Sequence, residues 1–88
     1  MYYFHVYILL CSDASFYVGH TDNLEQRIAD HYAGTFSGYT STRLPVKLIW
    51  SDHFSSRDEA FEAERQIKSW SRKKKIALIN GEWDLLKE

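Results

Sequence analysis

The chain has 88 residues, long enough for one hydrophobic core and too short for two, so we expect a single domain over residues 1–88. Its 44% hydrophobic and 16% aromatic residues exclude a disordered tail, and a formal net charge of −1 gives by itself no reason to expect nucleic acid. The single cysteine, Cys11, excludes an internal disulfide and indicates a reducing compartment, and the lack of a long apolar run or leader pattern predicts a cytoplasmic protein without membrane contact.

Two strands joined by a short turn are predicted at the start of the chain. Residues 2–10 alternate as a strand whose two faces are both partly covered. Residues 11–15 have turn composition and residues 16–18 are strand formers, which together predict a hairpin. A loop with an odd number of residues would place Tyr7 and Tyr17 on the same face of the sheet.

A glycine turn leads from the second strand into the first predicted helix. Gly19 permits a backbone conformation or a close approach that a side chain would resist, and Asp22 forms a capping box with the glutamate three residues later. We therefore expect a helix from Asp22 to about Tyr32. Arg27 and His31 lie one turn apart on the border of its apolar stripe, where both could reach a site beside the core.

The segment after this helix lacks periodicity. Residues 33–44 are rich in glycine, serine and threonine and are predicted to form a loop. A third strand is predicted over residues 46–50, following Pro45.

A later helix carries one residue that does not fit its apolar face. Ser56 and Glu59 form a capping box at its start, and Glu64 lies between Ala60 and Ile67 on the inward side. A carboxylate in this position must be paired, hydrogen-bonded, metal-bound or protonated, because burying it alone is costly. A structural salt bridge is the ordinary explanation.

The end of the chain combines a short helix with a concentration of positive charge. Ser71 is predicted to cap a helix that runs to Ile79 and ends at residues 80–81, and the apolar residues among 83–86 are expected to pack back on the body. Six of the eleven basic residues fall between positions 65 and 75: Arg65, Lys68, Arg72, Lys73, Lys74 and Lys75. A solvated helix face is the common explanation for such a cluster.

The order of these residues resembles the GIY-YIG nuclease superfamily, in particular its small stand-alone bacterial branch related to the amino-terminal nuclease domain of excinuclease C. The first tripeptide of the motif is HVY at residues 5–7, with a histidine in place of the first glycine, and the second is YVG at residues 17–19. Arg27 on the first helix and Glu64 on a later helix follow in the family's order. The resemblance covers residues 2–79.

The resemblance implies an α+β fold in which helices flank a three-stranded antiparallel sheet, in the order β-β-α-β-α-α, with the active site on one sheet face. It also implies hydrolysis of a DNA phosphodiester with one divalent cation, Mg²⁺ or Mn²⁺. By position, Glu64 would be the metal ligand, Tyr7 and Tyr17 would position or deprotonate the attacking water, and Arg27 would hold the scissile phosphate.

The resemblance also assigns two histidines to the site. His20 follows the second tripeptide, where relatives carry a lysine or histidine near the reaction centre, and His31 matches a histidine that some relatives use in proton transfer. Asn80 corresponds less securely to an asparagine near the end of the family's domain.

These residue types suit phosphodiester hydrolysis. Attack on the phosphorus places negative charge on its oxygens, so a cation and a guanidinium directed at them lower the barrier. Mg²⁺ keeps most of its water molecules, and a single protein carboxylate can hold it. A tyrosine that acts as a base needs its pKa lowered by the metal or by a neighbouring cation.

The chain leaves no room for a separate DNA-recognition domain, so DNA contacts are expected from basic residues of the domain itself, mostly to phosphate. The expected contacts are Arg43, Lys47, Arg72, Lys73, Lys74 and Lys75. Specificity would then be low or come from a protein partner. The sequence leaves open whether the DNA is branched, damaged or single-stranded, and whether it is cut in repair or recombination.

A non-catalytic nucleic-acid or protein interaction module that has kept the fold is the alternative. Each site residue also has an ordinary structural explanation. Tyr7 and Tyr17 would then be half-buried sheet aromatics. Arg27 would be a surface ion-pair partner of Glu64 or Asp30, and His31 a surface residue.

Overall fold

The computed structural model describes residues 3–82. Its elements are β1 (Phe4–Leu10), β2 (Phe16–Thr21), α1 (Leu24–Ala33), α2 (Gly38–Ser41), β3 (Lys47–Phe54), α3 (Arg57–Ser69) and α4 (Arg72–Asn80). The prediction that the tail packs back falls on residues 83–86, outside the described part, and the single domain over residues 1–88 stays a prediction. Within residues 3–82, no helix is long and apolar enough to cross a membrane.

The three strands form one antiparallel sheet in the order β2-β1-β3, so β1 is central and the other two are edge strands. This confirms the predicted α+β fold. Tyr7 is paired with Gly19, and Leu9 with Tyr17. Because side chains alternate along each strand and paired residues share a face, Tyr7 and Tyr17 lie on the same face of the sheet, as predicted.

Helices cover both faces of the sheet, and the central strand is therefore buried on both sides. Residues 6–9 of β1 are all fully buried. On one face, Tyr7 and Leu9 pack with apolar residues of α1. On the other face, Val6 and Ile8 pack with apolar residues of α3 and α4. The helices therefore pack against the sheet with their apolar sides.

The first helix begins two residues later than predicted. Asn23, rather than Asp22, is its N-cap, and the Asn23 side chain accepts a hydrogen bond from the backbone N–H of Gln26 at 3.1 Å. Asparagine and aspartate cap helices about equally well, so the capping pattern did not distinguish the two neighbours. The Asp22 carboxylate instead forms an ion pair with Arg57 at 3.3 Å.

Two other boundaries differ from the sequence prediction. The segment predicted as a loop contains the single helical turn α2, where the Ser37 side chain accepts from the backbone N–H of Tyr39. Strand β3 continues to Phe54, four residues past its predicted end. Residues 51–53 are exposed and polar on this edge strand, so they lack the apolar alternation that identifies a half-buried strand.

The predicted caps of the last two helices are confirmed. Ser56 accepts from the backbone N–H of Glu59, and the Glu59 carboxylate accepts from the Ser56 hydroxyl in return. Ser71 caps α4 by accepting from the backbone N–H of Lys74, and Gly81 ends that helix at φ 73°.

Replacing Gly19 with alanine is expected to destabilise the protein by about 1–3 kcal/mol, because a fully packed site cannot absorb an added methyl group. A Cβ at Gly19 would lie 2.5 Å from the Tyr7 oxygen and 2.6 Å from the adjacent ring carbon. The matched control is Gly38→Ala, since a Cβ at Gly38 meets nothing within 4 Å. Urea unfolding measures both, and equal free energies of unfolding for the two variants would contradict the close approach of Tyr7 to β2.

Candidate functional site

A buried chain of hydrogen bonds runs from the central strand to helix α2. The Tyr7 hydroxyl lies 2.9 Å from Nε2 of His31, and Nδ1 of His31 lies 2.8 Å from Oγ1 of Thr40. Tyr7, His31 and Thr40 are all fully buried. The alternative that His31 is a surface residue is therefore wrong.

The hydrogen bond of Thr40 fixes the tautomer of His31. The Thr40 hydroxyl donates its one proton to the backbone carbonyl of Phe36 at 2.9 Å, so it can only accept from His31. Nδ1 of His31 therefore carries the proton, and Nε2 accepts the hydrogen bond donated by the Tyr7 hydroxyl. The phenol proton already points at a nitrogen that can take it.

Burial keeps this pair uncharged at neutral pH. Loss of hydration lowers the pKa of His31 to about 4, and the positive charge of Arg27 acts in the same direction. Loss of hydration also raises the pKa of Tyr7 to about 12. The Arg27 guanidinium opposes this rise in the pKa of Tyr7, whereas the Tyr17 phenol and the Glu64 carboxylate add to it. The Glu64 carboxylate therefore interacts electrostatically with the Tyr7 phenol.

The Glu64 carboxylate has a basic partner on each oxygen. Glu64 is only 8% exposed, and its Oε1 accepts from Nδ1 of His20 at 2.8 Å. Its Oε2 forms an ion pair with Nζ of Lys68 at 3.2 Å. The ordinary explanation for a carboxylate on an inward helix face, an ion pair, is therefore present.

Arg27 connects the two groups of residues. Its Nη1 donates to the backbone carbonyl of His20 at 3.3 Å, and its guanidinium lies 4.1 Å from the ring centroid of Phe36. Tyr17 lies beside the relay, the hydrogen-bonded chain of Tyr7, His31 and Thr40. Its ring centroid is 6.4 Å from that of Tyr7 and 5.1 Å from that of His31.

The residues do not all lie on one sheet face, which differs from the expectation. His20 is paired with Val6 and shares its face, which α3 covers, whereas Tyr7 lies on the face that α1 covers. The two sets meet around β2 because β2 is an edge strand, which side chains of both helices can reach. The candidate site wraps around this edge.

Two of the predicted DNA contacts lie apart from the residues of the candidate site. Arg43 forms an ion pair with Asp13 at 2.9 Å and stacks 3.9 Å from the ring centroid of Tyr39. Tyr39 in turn lies 6.0 Å from Tyr17, so Arg43 is separated from the site by an aromatic layer. Lys47 is exposed at the start of β3, on the opposite edge of the sheet.

The basic start of α4 contacts the first residue of β2. Arg72 stacks 4.2 Å from the ring centroid of Phe16, the first residue of β2, and Lys74 lies 4.6 Å from the Trp70 ring. Lys73 is exposed, and Lys75 is half-buried. The same strand therefore has this basic cluster near its start and the candidate site near its end.

Two other sequence observations lie outside this arrangement. His5 shares the face of Tyr7, but it lines a groove with Leu24 of α1 and Leu48 of β3. Its Nδ1 is buried and has no hydrogen-bond partner among residues 3–82. Asn80 is exposed at the end of α4, where its amide donates to Glu82 at 3.3 Å.

Three residues of the site were missed at the sequence level. Thr40 and Phe36 lie in the segment predicted as a loop, and only the fold shows that they contact His31 and Arg27. Lys68 had an available signal, because it lies four residues after Glu64, a spacing that places two helical side chains side by side.

The donor set fits a magnesium-like cation held by one carboxylate. Among residues 3–82, no group of three or more His, Cys, Asp and Glu side chains is placed to hold a metal ion. Mg²⁺ binds through one or two carboxylates and keeps several waters, so the single carboxylate of Glu64 could hold it if a cation took the place of Lys68. The Lys68 side chain on Oε2 is 53% exposed and can move aside.

The comparisons with known proteins agree with the fold and the motif. The model of the GIY-YIG catalytic domain matches residues 3–77. A UPF0213 protein of Staphylococcus haemolyticus is 48% identical over 75 residues, which cover 85% of this chain and 92% of the relative. A UPF0213 protein of Natronomonas pharaonis is 44% identical over 78 residues, covering 89% and 92%.

Two solution NMR structures are similar to this fold. The UPF0213 protein BH0048 of Bacillus halodurans superposes with a TM-score of 0.59 at 38% identity, covering 89% of this chain and 83% of that one. The protein EF2693 of E. faecalis gives a TM-score of 0.62 at 38% identity, covering 90% and 84%.

The depressed pKa of His31 predicts that acid destabilises the protein. As pH falls from the unfolded value near 6.5 to about 4, the unfolded chain binds a proton at this residue and the native protein does not. The free energy of unfolding should therefore fall by about 2–3 kcal/mol across this range, and it should be fully recovered above it.

Urea unfolding between pH 4 and pH 7.5 measures this effect. The variant His31→Gln should show a shallower dependence on pH than the parent. His53→Gln is the matched control, because the His53 side chain is 60% exposed. Equal slopes for His31→Gln and the parent would contradict the burial of an uncharged imidazole.

Proposed function

Because the chain belongs to the GIY-YIG family, whose nucleases generally use divalent metal ions, we propose that it is a metal-dependent endonuclease that hydrolyses DNA phosphodiester bonds. We also propose that it acts in DNA repair or recombination and that its cation is Mg²⁺ or Mn²⁺. The observation that carries the proposal is the hydrogen bond from the Tyr7 hydroxyl to an unprotonated His31 nitrogen, beside Arg27 and Glu64.

The hydrogen bonds define a path for the proton of the attacking water. A water that reaches the buried Tyr7 oxygen would give it a proton as the phenol proton of Tyr7 passes to Nε2 of His31. The imidazolium that forms keeps its Nδ1–H bond to Thr40, whose hydroxyl stays bonded to a backbone carbonyl. His31 is thus the final proton acceptor, and Tyr7 conducts the proton to it.

The resting protein resists this transfer. With the pKa of Tyr7 at about 12 and that of His31 at about 4, the proton stays on the phenol. A divalent cation held by Glu64 would supply positive charge that stabilises the ionised nucleophile and the phosphate oxygens. Arg27 adds a second positive charge on the other side of β2.

Arg27, Tyr17 and His20 have positioning roles in the proposal. The planar guanidinium of Arg27 is fixed by the Phe36 ring and the His20 carbonyl, and it can offer its remaining N–H groups to the scissile phosphate. Tyr17 helps to position the attacking water. His20 orients the carboxylate of Glu64 through its Nδ1–H.

The DNA backbone would follow the outer edge of β2. Arg72 lies over the first residue of the strand and Arg27 contacts the carbonyl of His20 near its end. The neighbouring Lys73, Lys74 and Lys75 extend the positive charge at the start of α4. The proposed surface does not include Lys47, which lies on the opposite edge, and Arg43 contributes only at its margin.

Glu64→Gln and Arg27→Lys should each lower DNA cleavage by about 100-fold or more, since each removes a group that stabilises the transition state. Cleavage of plasmid and branched DNA in Mg²⁺ and Mn²⁺ measures this. Glu62→Gln is the matched control on the same helix, because Glu62 is exposed and pairs only with Arg65 at 3.6 Å among the ion pairs of residues 3–82.

Full cleavage by Glu64→Gln would show that the metal assignment is wrong. A parent protein that binds these DNA substrates and cuts none of them would favour the non-catalytic interaction module instead.

DNA affinity should fall steeply with salt if the α4 cluster binds phosphates. Arg72→Gln should reduce the slope of log K against log salt by about one, the loss expected for one phosphate contact. The control is Arg65→Gln, because Arg65 belongs to α3 and not to the α4 cluster, and it lines a groove with Phe54, the last residue of β3. A flat salt dependence, or equal slopes for the two variants, would count against this docking surface.

A further inference from the structure

One ion pair of the site joins a fixed side chain to a movable one. Glu64 and Lys68 lie one turn apart on α3, and Nζ of Lys68 is 3.2 Å from Oε2 of Glu64. The Glu64 side chain is 10% exposed, whereas the Lys68 side chain is 53% exposed. The carboxylate is therefore held by the protein, and the ammonium reaches it from solvent.

The other basic partner of Glu64 is much less free to move. His20 belongs to β2, its side chain is 25% exposed, and its ring packs against Phe61 with centroids 5.7 Å apart. Nδ1 of His20 bonds to Oε1, which leaves Oε2 to Lys68 alone among the described residues. A cation that comes from solvent therefore approaches the oxygen that Lys68 covers.

We propose that Lys68 is the resident counter-ion of Glu64 and that a divalent cation must displace it to bind. This inference rests on the proposed function, in which Glu64 is the metal ligand. A buried carboxylate without a positive partner is costly, and Lys68 removes that cost when no metal is bound. The ammonium and a divalent cation would compete for Oε2, because two positive charges next to the same oxygen repel each other.

Lys68 can leave at little cost. The divalent cation takes over as the positive partner of Glu64, and the released ammonium, whose side chain is already 53% exposed, regains its hydration. Its four-carbon stem keeps it beside the site, where a DNA phosphate can become its new partner. Lys68 therefore sets the cation affinity of the free protein below the value that Glu64 and His20 alone would give.

The test is a titration of the full chain with Mn²⁺ in the absence of DNA. Electron paramagnetic resonance measures free Mn²⁺ at each step and gives the dissociation constant, so the test does not depend on DNA cleavage. Lys68→Met should bind Mn²⁺ three- to tenfold more tightly than the parent. Arg65→Met is the matched control, since it removes the same charge from the adjacent turn of α3 at a side chain 65% exposed. Its dissociation constant should change by less than twofold.

A second variant protects the test against misfolding. Lys68→Gln keeps a neutral donor for Oε2 and should also bind Mn²⁺ more tightly than the parent. Thermal unfolding without metal should show Lys68→Met to be less stable than Arg65→Met, because only the former leaves Glu64 without one of its partners. Addition of Mn²⁺ should then raise the melting temperature of Lys68→Met more than that of Arg65→Met.

The outcomes separate this inference from the proposed function. If Glu64→Gln binds Mn²⁺ as well as the parent, the metal assignment fails and the role of Lys68 fails with it. If Glu64→Gln loses Mn²⁺ and both Lys68 variants bind it no more tightly than Arg65→Met, Glu64 remains the metal ligand and the displacement of Lys68 is overturned.

Discussion

The close packing of Tyr7 against Gly19 determines where the candidate site lies. Tyr7 belongs to the central strand and has a neighbouring strand on each side, so its side chain must cross one of them to reach the edge of the sheet. It crosses β2 at the position where the chain has no Cβ, and its hydroxyl then meets His31. With a larger residue at position 19, the buried phenol would be displaced from the partner that satisfies its hydrogen bond.

Strand β2 connects two different environments because successive residues point to opposite faces. Gly19 contacts the Tyr7 ring on the face of α1, where the Tyr7–His31 pair is buried, uncharged and fixed by Thr40. His20 points to the face of α3 and meets the charged Glu64. One edge strand therefore brings an uncharged proton path and a carboxylate together without burying both in the same core, where an unpaired charge would be costly.

Sequence periodicity predicted the elements that carry most of the site. Alternation identified β1, and the Ser56 capping box fixed the start of α3, so Tyr7 and Glu64 were assigned to the correct elements. The N-cap at Asn23 was missed because its neighbour caps equally well. The role of Thr40 could not be predicted, since one helical turn gives no periodic pattern and its partner lies nine residues away. Nor does strand alternation show that helices from both faces meet at an edge.

Both charged steps of the proposed reaction are held back in the free protein by the same property, burial. Burial raises the pKa of Tyr7 to about 12 and keeps its proton in place, and burial of Glu64 favours a resident counter-ion on its carboxylate. A divalent cation held by Glu64 would replace the charge of Lys68 and would stabilise the hydroxide that forms when the attacking water loses its proton. In the proposed reaction, the buried Tyr7–His31 pair and the Lys68 counter-ion would therefore limit the activation of water by electrostatics until a cation binds.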